Sequence, residues 1–270
     1  MINMIFSGLA RFVFSFFWIS AIFPCLDTQK DNSENQSNSI LTNNINSVAN
    51  EVIIKWYGQS CFLIVTSEGT QVLTDPVEFR GYHLPKGIEP DIVTVSHNHI
   101  DHNRVDVVGG NPEVLKGTTK NIQKVLAIDK RIKDVRIYTV PSYHDPGKHG
   151  MNAIFVIEFD GIRVVHLGDI GTTLSDSQIE AIGEADILMI PVGGQFTISG
   201  SNADKVINQL KVHSLVFPMH YKTEAFESLP YSAEDFLKGK ENVKRISGNK
   251  FVLNLSNMPQ KWEIVVLDYK

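Results

Sequence analysis

Little in this chain commits it to a special environment. Only two cysteines occur in 270 residues, which rules out a disulfide framework as the basis of the fold. They differ in character: Cys61 sits inside the apolar run Cys61-Phe62-Leu63-Ile64-Val65, where a thiol behaves as a small core residue, and Cys25 closes a hydrophobic leader. Block charge is also missing. With 25 Lys+Arg against 30 Asp+Glu the formal net charge is -5 and both signs are scattered, so the basic excess that attracts nucleic acid is absent and no nucleic-acid partner is expected. There is no internal repeat and no Gly-Xaa-Ser-Xaa-Gly elbow to present a serine nucleophile. What remains, 43% hydrophobic and 20% charged residues, is ordinary globular composition. The length provides for one large domain or two small ones.

The first 26 residues carry a single charge, Arg11. The run Phe12 to Phe23, interrupted only by Ser15 and Ser20, is short for a membrane span but suits a signal-peptide core. Residues 1–26 are therefore expected to be a signal peptide or membrane anchor, placing the protein outside the cytoplasm or in the cell envelope, with a cytoplasmic location as the alternative. Ile19-Ser20-Ala21 offers a cleavage site. Cys25 offers a lipidated mature N-terminus, against which Pro24 argues. An uncleaved anchor and a start codon set too early are the other readings. Residues 27–50 hold seven Asn and four Ser with sparse apolar positions. They cannot bury enough surface to offset their ordering entropy and read as a disordered polar tether. The folded domain is expected at 51–270.

Within that domain short β-type runs come first: Val52 to Tyr57, Cys61 to Thr66, Gln71 to Thr74 and Ile92 to Val95. Arg136 to Val140 follows, then Ala153 to Phe159 and Ile162 to His166 joined by the hairpin signal Asp160-Gly161. Ile187 to Ile190, Leu215 to Phe217, Lys250 to Leu255 and Glu263 to Leu267 complete the set. Helices are fewer. Ser175-Asp176-Ser177-Gln178 is a capping box with Leu174 and Ile179 as its hydrophobic staple. Ala203, Val206, Ile207 and Leu210 make one apolar helical face, and Ser232 to Asp235 caps a third helix. The pattern predicts an α/β fold of two stacked mixed sheets with helices on the outer faces, an αββα sandwich.

The residues that bear chemistry begin at His97-Asn98-His99-Ile100-Asp101-His102, directly after the buried strand Ile92 to Val95. Three imidazoles and a carboxylate within six residues are the ligand types a borderline divalent ion takes. Three further candidates stand at turns after apolar runs: His144 after Val140, Asp169 in His166-Leu167-Gly168-Asp169, and His220 in Pro218-Met219-His220-Tyr221. Polar side chains at strand ends can converge on one sheet edge. Taken singly, a His at such a position is more often a hydrogen-bonded structural residue than a ligand, and Asp169 could simply cap the turn at Gly171. Their occurrence in this order points to a joint site. His149 rivals His144. His166 reads as structural, and His83 and His213 as surface or packing residues.

His-x-His-x-Asp-His, then a lone His, then Gly-Asp, then a last His, with gaps of 42, 25 and 51 residues, resembles the metallo-β-lactamase fold hydrolases. Trp56-Tyr57-Gly58-Gln59-Ser60-Cys61-Phe62, Leu73-Thr74-Asp75-Pro76, Pro191-Val192-Gly193-Gly194 and Pro218-Met219-His220-Tyr221 narrow the likeness to Zn-dependent hydrolases related to ascorbate-6-phosphate lactonase. More distantly the core resembles N-acyl-phosphatidylethanolamine phospholipase D. The resemblance spans residues 51–270. It implies two divalent metal ions, zinc by default and manganese or iron as alternatives, since nitrogen and oxygen ligands suit all three. His97, His99 and His144 would hold the first ion. Asp101, His102 and His220 would hold the second, with Asp169 bridging, and Asp75 would orient a metal histidine. A hydroxide shared by the ions would attack a lactone, ester or phosphodiester, with Asp101 and Asp169 as catalytic carboxylates.

The expected substrate is a small, anionic molecule. Candidate anion contacts are the amides of Gly193-Gly194-Gln195-Phe196-Thr197 and the side chains of Lys222, Lys148 and Arg80. The lack of a thiolate ligand disfavours antibiotic hydrolysis. The acidic balance and the missing β-CASP insertion disfavour a nuclease, and there is no room for a flavin domain. A membrane-associated phosphodiesterase and a non-catalytic metal-binding or sensing protein are the other readings. Oligomeric state is left open.

Overall fold

Alternation along short strands decides which side chains each sheet buries. The computed structural model describes residues 50–270; the leader and all but the last residue of the polar tether lie outside the described residues. The strands are β1 (Glu51–Trp56), β2 (Phe62–Val65), β3 (Gln71–Thr74), β4 (Glu78–Phe79), β5 (Tyr82–His83), β6 (Ile92–Val95), β7 (Glu113–Lys116) and β8 (Asp129–Ile132). They continue with β9 (Val135–Tyr143), β10 (Met151–Phe159), β11 (Ile162–His166), β12 (Ile187–Pro191), β13 (Leu215–Met219), β14 (Val243–Arg245), β15 (Lys250–Asn254) and β16 (Glu263–Val266). The helices are α1 (Asp176–Ile182), α2 (Gly200–Gln209) and α3 (Ala233–Leu237).

Two mixed sheets stack face to face. One has six strands in the order β15-β1-β2-β3-β6-β7, the other eight in the order β14-β16-β13-β12-β11-β10-β9-β8. Val52, Ile54, Trp56, Phe62, Ile64, Val72 and Ile92 of the first sheet join Ile154, Val156, Val164, Leu188 and Phe217 of the second in one core. The alternate residues Leu63, Leu73, Val93 and Val95 face the other way, into a second cluster with Tyr82, Leu84, Ile88, Phe226 and Leu229. A strand buried on both faces reads as a continuous apolar run, which is why Ile92 to Val95 lacks alternation. Over the second sheet, α1 lies against β9 and α2 against β12. The outer layer of the first sheet is loop, the β4–β5 hairpin and a 3-10 turn at Val105–Val107. The architecture is the four-layer sandwich of two stacked mixed sheets expected from the sequence, with one outer layer irregular.

Each strand run read from the sequence is a strand here, within three residues at its ends. The hairpin at Asp160-Gly161 has φ of +52° and +74°, as a type I′ turn requires. Ser175 caps α1 through a full capping box with Gln178. Strands not anticipated are β4, β5, β7, β8 and β14; β7, β8 and β14 are sheet edges. Their sequences, such as Asp129-Lys130-Arg131-Ile132, carry the charges that keep an edge from pairing with another chain, and so hide the strand signal. Among the described residues no helix is long and apolar enough to cross a membrane.

Ile157, fully buried in β10, is expected to cost about 2–5 kcal/mol on Ile157→Ala. Val252→Ala, on an edge strand at 41% exposure, is expected to change stability by no more than about 0.5 kcal/mol. Urea unfolding of both variants checks the contrast.

Candidate metal centre

The topology sends the C-terminal ends of several strands to one edge of the sandwich. β3 and β6 run parallel, and antiparallel steps from β1 through β2 to β3 give β1 the same direction. In the second sheet β11, β12 and β13 are parallel, and β9 shares their direction through its antiparallel neighbour β10. Each candidate residue follows one of these ends: Asp75 follows β3, the histidine run follows β6, His144 follows β9, Asp169 lies beyond β11 and His220 follows β13. The structure brings all eight sequence candidates together.

Asp169 is the centre of the cluster. Its Oδ2 lies 3.2 Å from His102 Nε2, 3.3 Å from His220 Nε2, 3.7 Å from His144 Nε2 and 3.8 Å from His97 Nε2. His97 Nε2 and His99 Nδ1 are 3.1 Å apart, and His102 Nε2 is 3.5 Å from Asp101 Oδ2. Ligating atoms of His97, His99 and His144 fall within 4.8 Å of one another, as do those of Asp101, His102 and His220. Asp75, His97 and His102 form a third such group, but Asp75 is occupied by protein donors. It accepts Ser96 N–H at 2.6 Å, Ser96 Oγ–H at 2.6 Å and His102 Nδ1–H at 2.9 Å. That last bond fixes the His102 tautomer and leaves Nε2 facing Asp169.

The electrostatics call for positive charge. Burial opposes ionisation of Asp169, yet the imidazoles of His102 and His220 hold its carboxyl well below the usual carboxylate range. Burial likewise opposes charge on Asp101, and neighbouring His102 overrides it and holds Asp101 low. The same pairings, against the effect of burial, push His102 and His220 up. Burial holds His97 and His144 down, keeping their nitrogens as bases. Nε2 of His144 is buried with no hydrogen-bond partner, and Nε2 of His102 faces only carboxylate oxygens, of Asp169 at 3.2 Å and Asp101 at 3.5 Å. Unsatisfied imidazole nitrogens grouped around buried carboxylates are a donor set for a divalent cation, and the residues fit that group.

Several positioning residues were not singled out from the sequence. Asn152, fully buried at the start of β10, donates from Nδ2 to Ser142 Oγ and to Leu167 O, both at 2.8 Å, and accepts Asp169 N–H at 3.0 Å. A lone Asn opening an apolar strand was the available signal. Ser96 Oγ lies 3.0 Å from His97 Nδ1. Gln59 Nε2 donates to Asp101 Oδ2 at 2.9 Å and Ser60 Oγ to Asp169 Oδ1 at 3.4 Å. Backbone strain collects here: Gln59, Asp75 and His220 have φ of +46°, +38° and +47°, values a non-glycine residue adopts only when its surroundings impose them. Gly168 has φ +54°, and a Cβ there would lie 2.4 Å from Asn152 Oδ1. A Cβ on Gly193 would lie 2.1 Å from His220 O, which accepts the Gly193 N–H.

The other histidines separate cleanly. His149 is 85% exposed and paired with Asp145, so His144 alone reaches the cluster. His166 is buried and donates from Nε2 to Ser60 O at 2.8 Å. His83 pairs with Glu78, and His213 with Glu184 and Asp186. Burial pushes the Cys61 thiol well above its ordinary value, in keeping with a core role.

The anion contacts fare less well. The N–H groups of Gly193, Gly194, Phe196 and Thr197 are spent on His220 O, Ile198 O or Gly194 O, so four of the five amides of this loop are already engaged within the protein. Arg80 stacks on the rings of Phe226 at 4.5 Å and Phe79 at 5.1 Å, and Lys148 lies over Tyr143 at 5.0 Å.

A largely buried His/Asp cluster at the edge of two stacked mixed sheets defines a metal-dependent hydrolase of the metallo-β-lactamase type. The comparisons agree with the geometry. The family model described as a beta-lactamase superfamily domain matches residues 53–220, and the chain belongs to that superfamily. It is 29% identical over 227 residues to the UPF0173 metal-dependent hydrolase of Thermococcus onnurineus, covering 74% of this chain and 93% of the relative. The UPF0173 metal-dependent hydrolase of Methanoregula boonei is 28% identical over 211 residues, with 72% and 92% covered. Among solved structures, a protein assigned as a Zn-dependent hydrolase of the metallo-β-lactamase superfamily from Thermotoga maritima superposes with a TM-score of 0.66. It is 34% identical, over 80% of this chain and 98% of that one.

Gly168→Ala forces both a strained φ and a clash with Asn152, and is expected to lose about 1–3 kcal/mol. Asn152→Ala removes the same anchor and is expected to lose about as much. Thermal unfolding of the two variants measures it; wild-type melting in both would refute the role of this turn.

Proposed function

We propose that the cluster holds two divalent ions, zinc by default, and that the protein hydrolyses a lactone, ester or phosphodiester of a small substrate. The observation that carries this reading is the convergence of four imidazole nitrogens on one buried oxygen of Asp169 within 3.8 Å. His97, His99 and His144 would hold one ion, Asp101, His102 and His220 the other, and Asp169 both. Divalent ions bound there supply a water with a pKa lowered to about 7 and a Lewis acid for the oxygen that gains charge.

The chain's own groups do the rest. Asp75 holds His102 in the tautomer that presents Nε2. Asn152 and Gly168 hold Asp169 at the centre. Asp101 keeps one oxygen on Gln59 and has a second with which to orient the attacking group or accept its proton. With four of the five Gly193–Thr197 amides engaged internally and Arg80 stacked on aromatic rings, a preference for an anionic substrate rests on Lys148, above Tyr143, and on the exposed Lys222. The apolar leader supports export to, or anchoring in, the cell envelope.

Elemental analysis of the purified full-length chain is expected to find two equivalents of metal, about one in His97→Ala and none in Asp169→Ala. Unchanged content in both variants would sink the assignment. Metal-loaded protein is expected to turn over a member of a panel of lactones, phosphorylated sugars, lipid phosphodiesters and generic phosphodiesters. Asp101→Asn is expected to slow that turnover about 100-fold or more; a metal-replete protein inert towards the whole panel would favour a sensing role instead.

A further inference from the structure

The turn between β1 and β2, Gly58-Gln59-Ser60, reaches more of the cluster than any single ligand accounts for. Gln59 is fully buried. Its Nε2 donates to Asp101 Oδ2 at 2.9 Å. Its backbone oxygen accepts two donors, His220 N–H at 3.2 Å and Trp56 Nε1–H at 3.0 Å. Ser60 O accepts His166 Nε2–H, and Ser60 Oγ donates to Asp169. Asp101 and His220 come from different sheets and are 119 positions apart in the sequence (220 − 101). The only described hydrogen bonds that tie both to a common residue run through Gln59.

Two features say that this arrangement is kept for the site. Gln59 holds φ at +46°, a conformation that costs stability in a residue with a side chain. Its Oε1 is buried without a partner, so the carboxamide leaves half of its own bonding unmet. The orientation of the amide is settled by chemistry, because an ionised carboxylate only accepts and Gln59 must present N–H to Asp101. A donor on Oδ2 also decides which oxygen of Asp101 is free.

We propose that Gln59 is a positioning residue for the second ion, fixing the Asp101 carboxylate and the His220 backbone in one geometry. The inference rests on the two-ion reading above. Apo full-length protein titrated with Co(II) alone, followed by visible absorption and by heat of binding, is expected to show two steps. Gln59→Met keeps the volume and removes the donor. It is expected to weaken the second step about tenfold or more, with the first step within about twofold and apo melting unchanged. Gln59→His, whose Nε2–H stands at a similar reach from the backbone, is expected to restore the second step. The proposal is overturned if Gln59→Met binds both ions as wild type does, if both steps weaken equally, or if Gln59→His fails to recover what Gln59→Met loses. A single step in the wild type would overturn the two-ion reading together with this one; two steps in the wild type that keep the same affinities in Gln59→Met would overturn only the role of Gln59.

Discussion

A carboxylate without water around it must find positive charge or strong donors, and the buried Asp169 organises this protein on that condition. Burial alone would neutralise it. Four imidazoles instead surround one of its oxygens, and Asn152 and Ser60 fix its backbone and its other oxygen. Removing any one partner leaves charge or lone pairs buried and unmet, so the group stands as a unit. The same condition explains why the cluster suits a divalent cation: it supplies in one place the charge that the carboxylates demand and the acceptor that the imidazole nitrogens lack.

The sandwich makes such a cluster affordable by dividing labour between interior and edge. The apolar alternates of both sheets fill the space between them, so strand ends are held by a core that contributes nothing to the chemistry. Polar groups then gather where the strands stop. Each is fixed by a short bond to a neighbouring strand end: Asp75 to Ser96 and His102, Asn152 to Asp169, Gln59 to Asp101 and His220. Left-handed backbone at Gln59, Asp75 and His220 shows the core over-determining these turns, which is how strain persists at a site.

Much of this was legible in the residue order. Central strands carry periodic or continuous apolar runs because their faces are buried, and the capping box of α1 is written in four consecutive residues. Three of the four edge strands of the two large sheets were not legible, since Glu113–Lys116, Asp129–Ile132 and Val243–Arg245 trade apolar pattern for protective charge. The ligand types at strand ends stood out for the same reason that they are used: His and Asp are costly beside apolar runs unless something pairs with them. Asn152 escaped notice and Gln59 stood out only as part of a longer segment, because an amide is a common residue whose role depends wholly on what it faces. The Gly193–Thr197 loop could be read from its sequence either as an anion contact or as an ordinary strand-to-helix connection. Its glycines suggested free amides, but Gly193 is there because His220 O leaves no room for a Cβ.

What the sequence determined by itself is the inventory: the strand runs of two stacked sheets, a histidine run after a buried strand, and three later residues at strand ends. Those properties are local, being set by periodicity, by turn chemistry and by the donor atoms each side chain carries. Only the tertiary structure decided which donors meet. It brought His144 to Asp169 and left His149 in solvent, gave Asp75 to His102, and engaged the Gly193 and Gly194 amides with His220 O and Ile198 O. It also placed Gln59 between Asp101 and His220, residues from different sheets. Such choices depend on separations of a few ångströms between segments distant in the chain, and those distances exist only once the two sheets have packed.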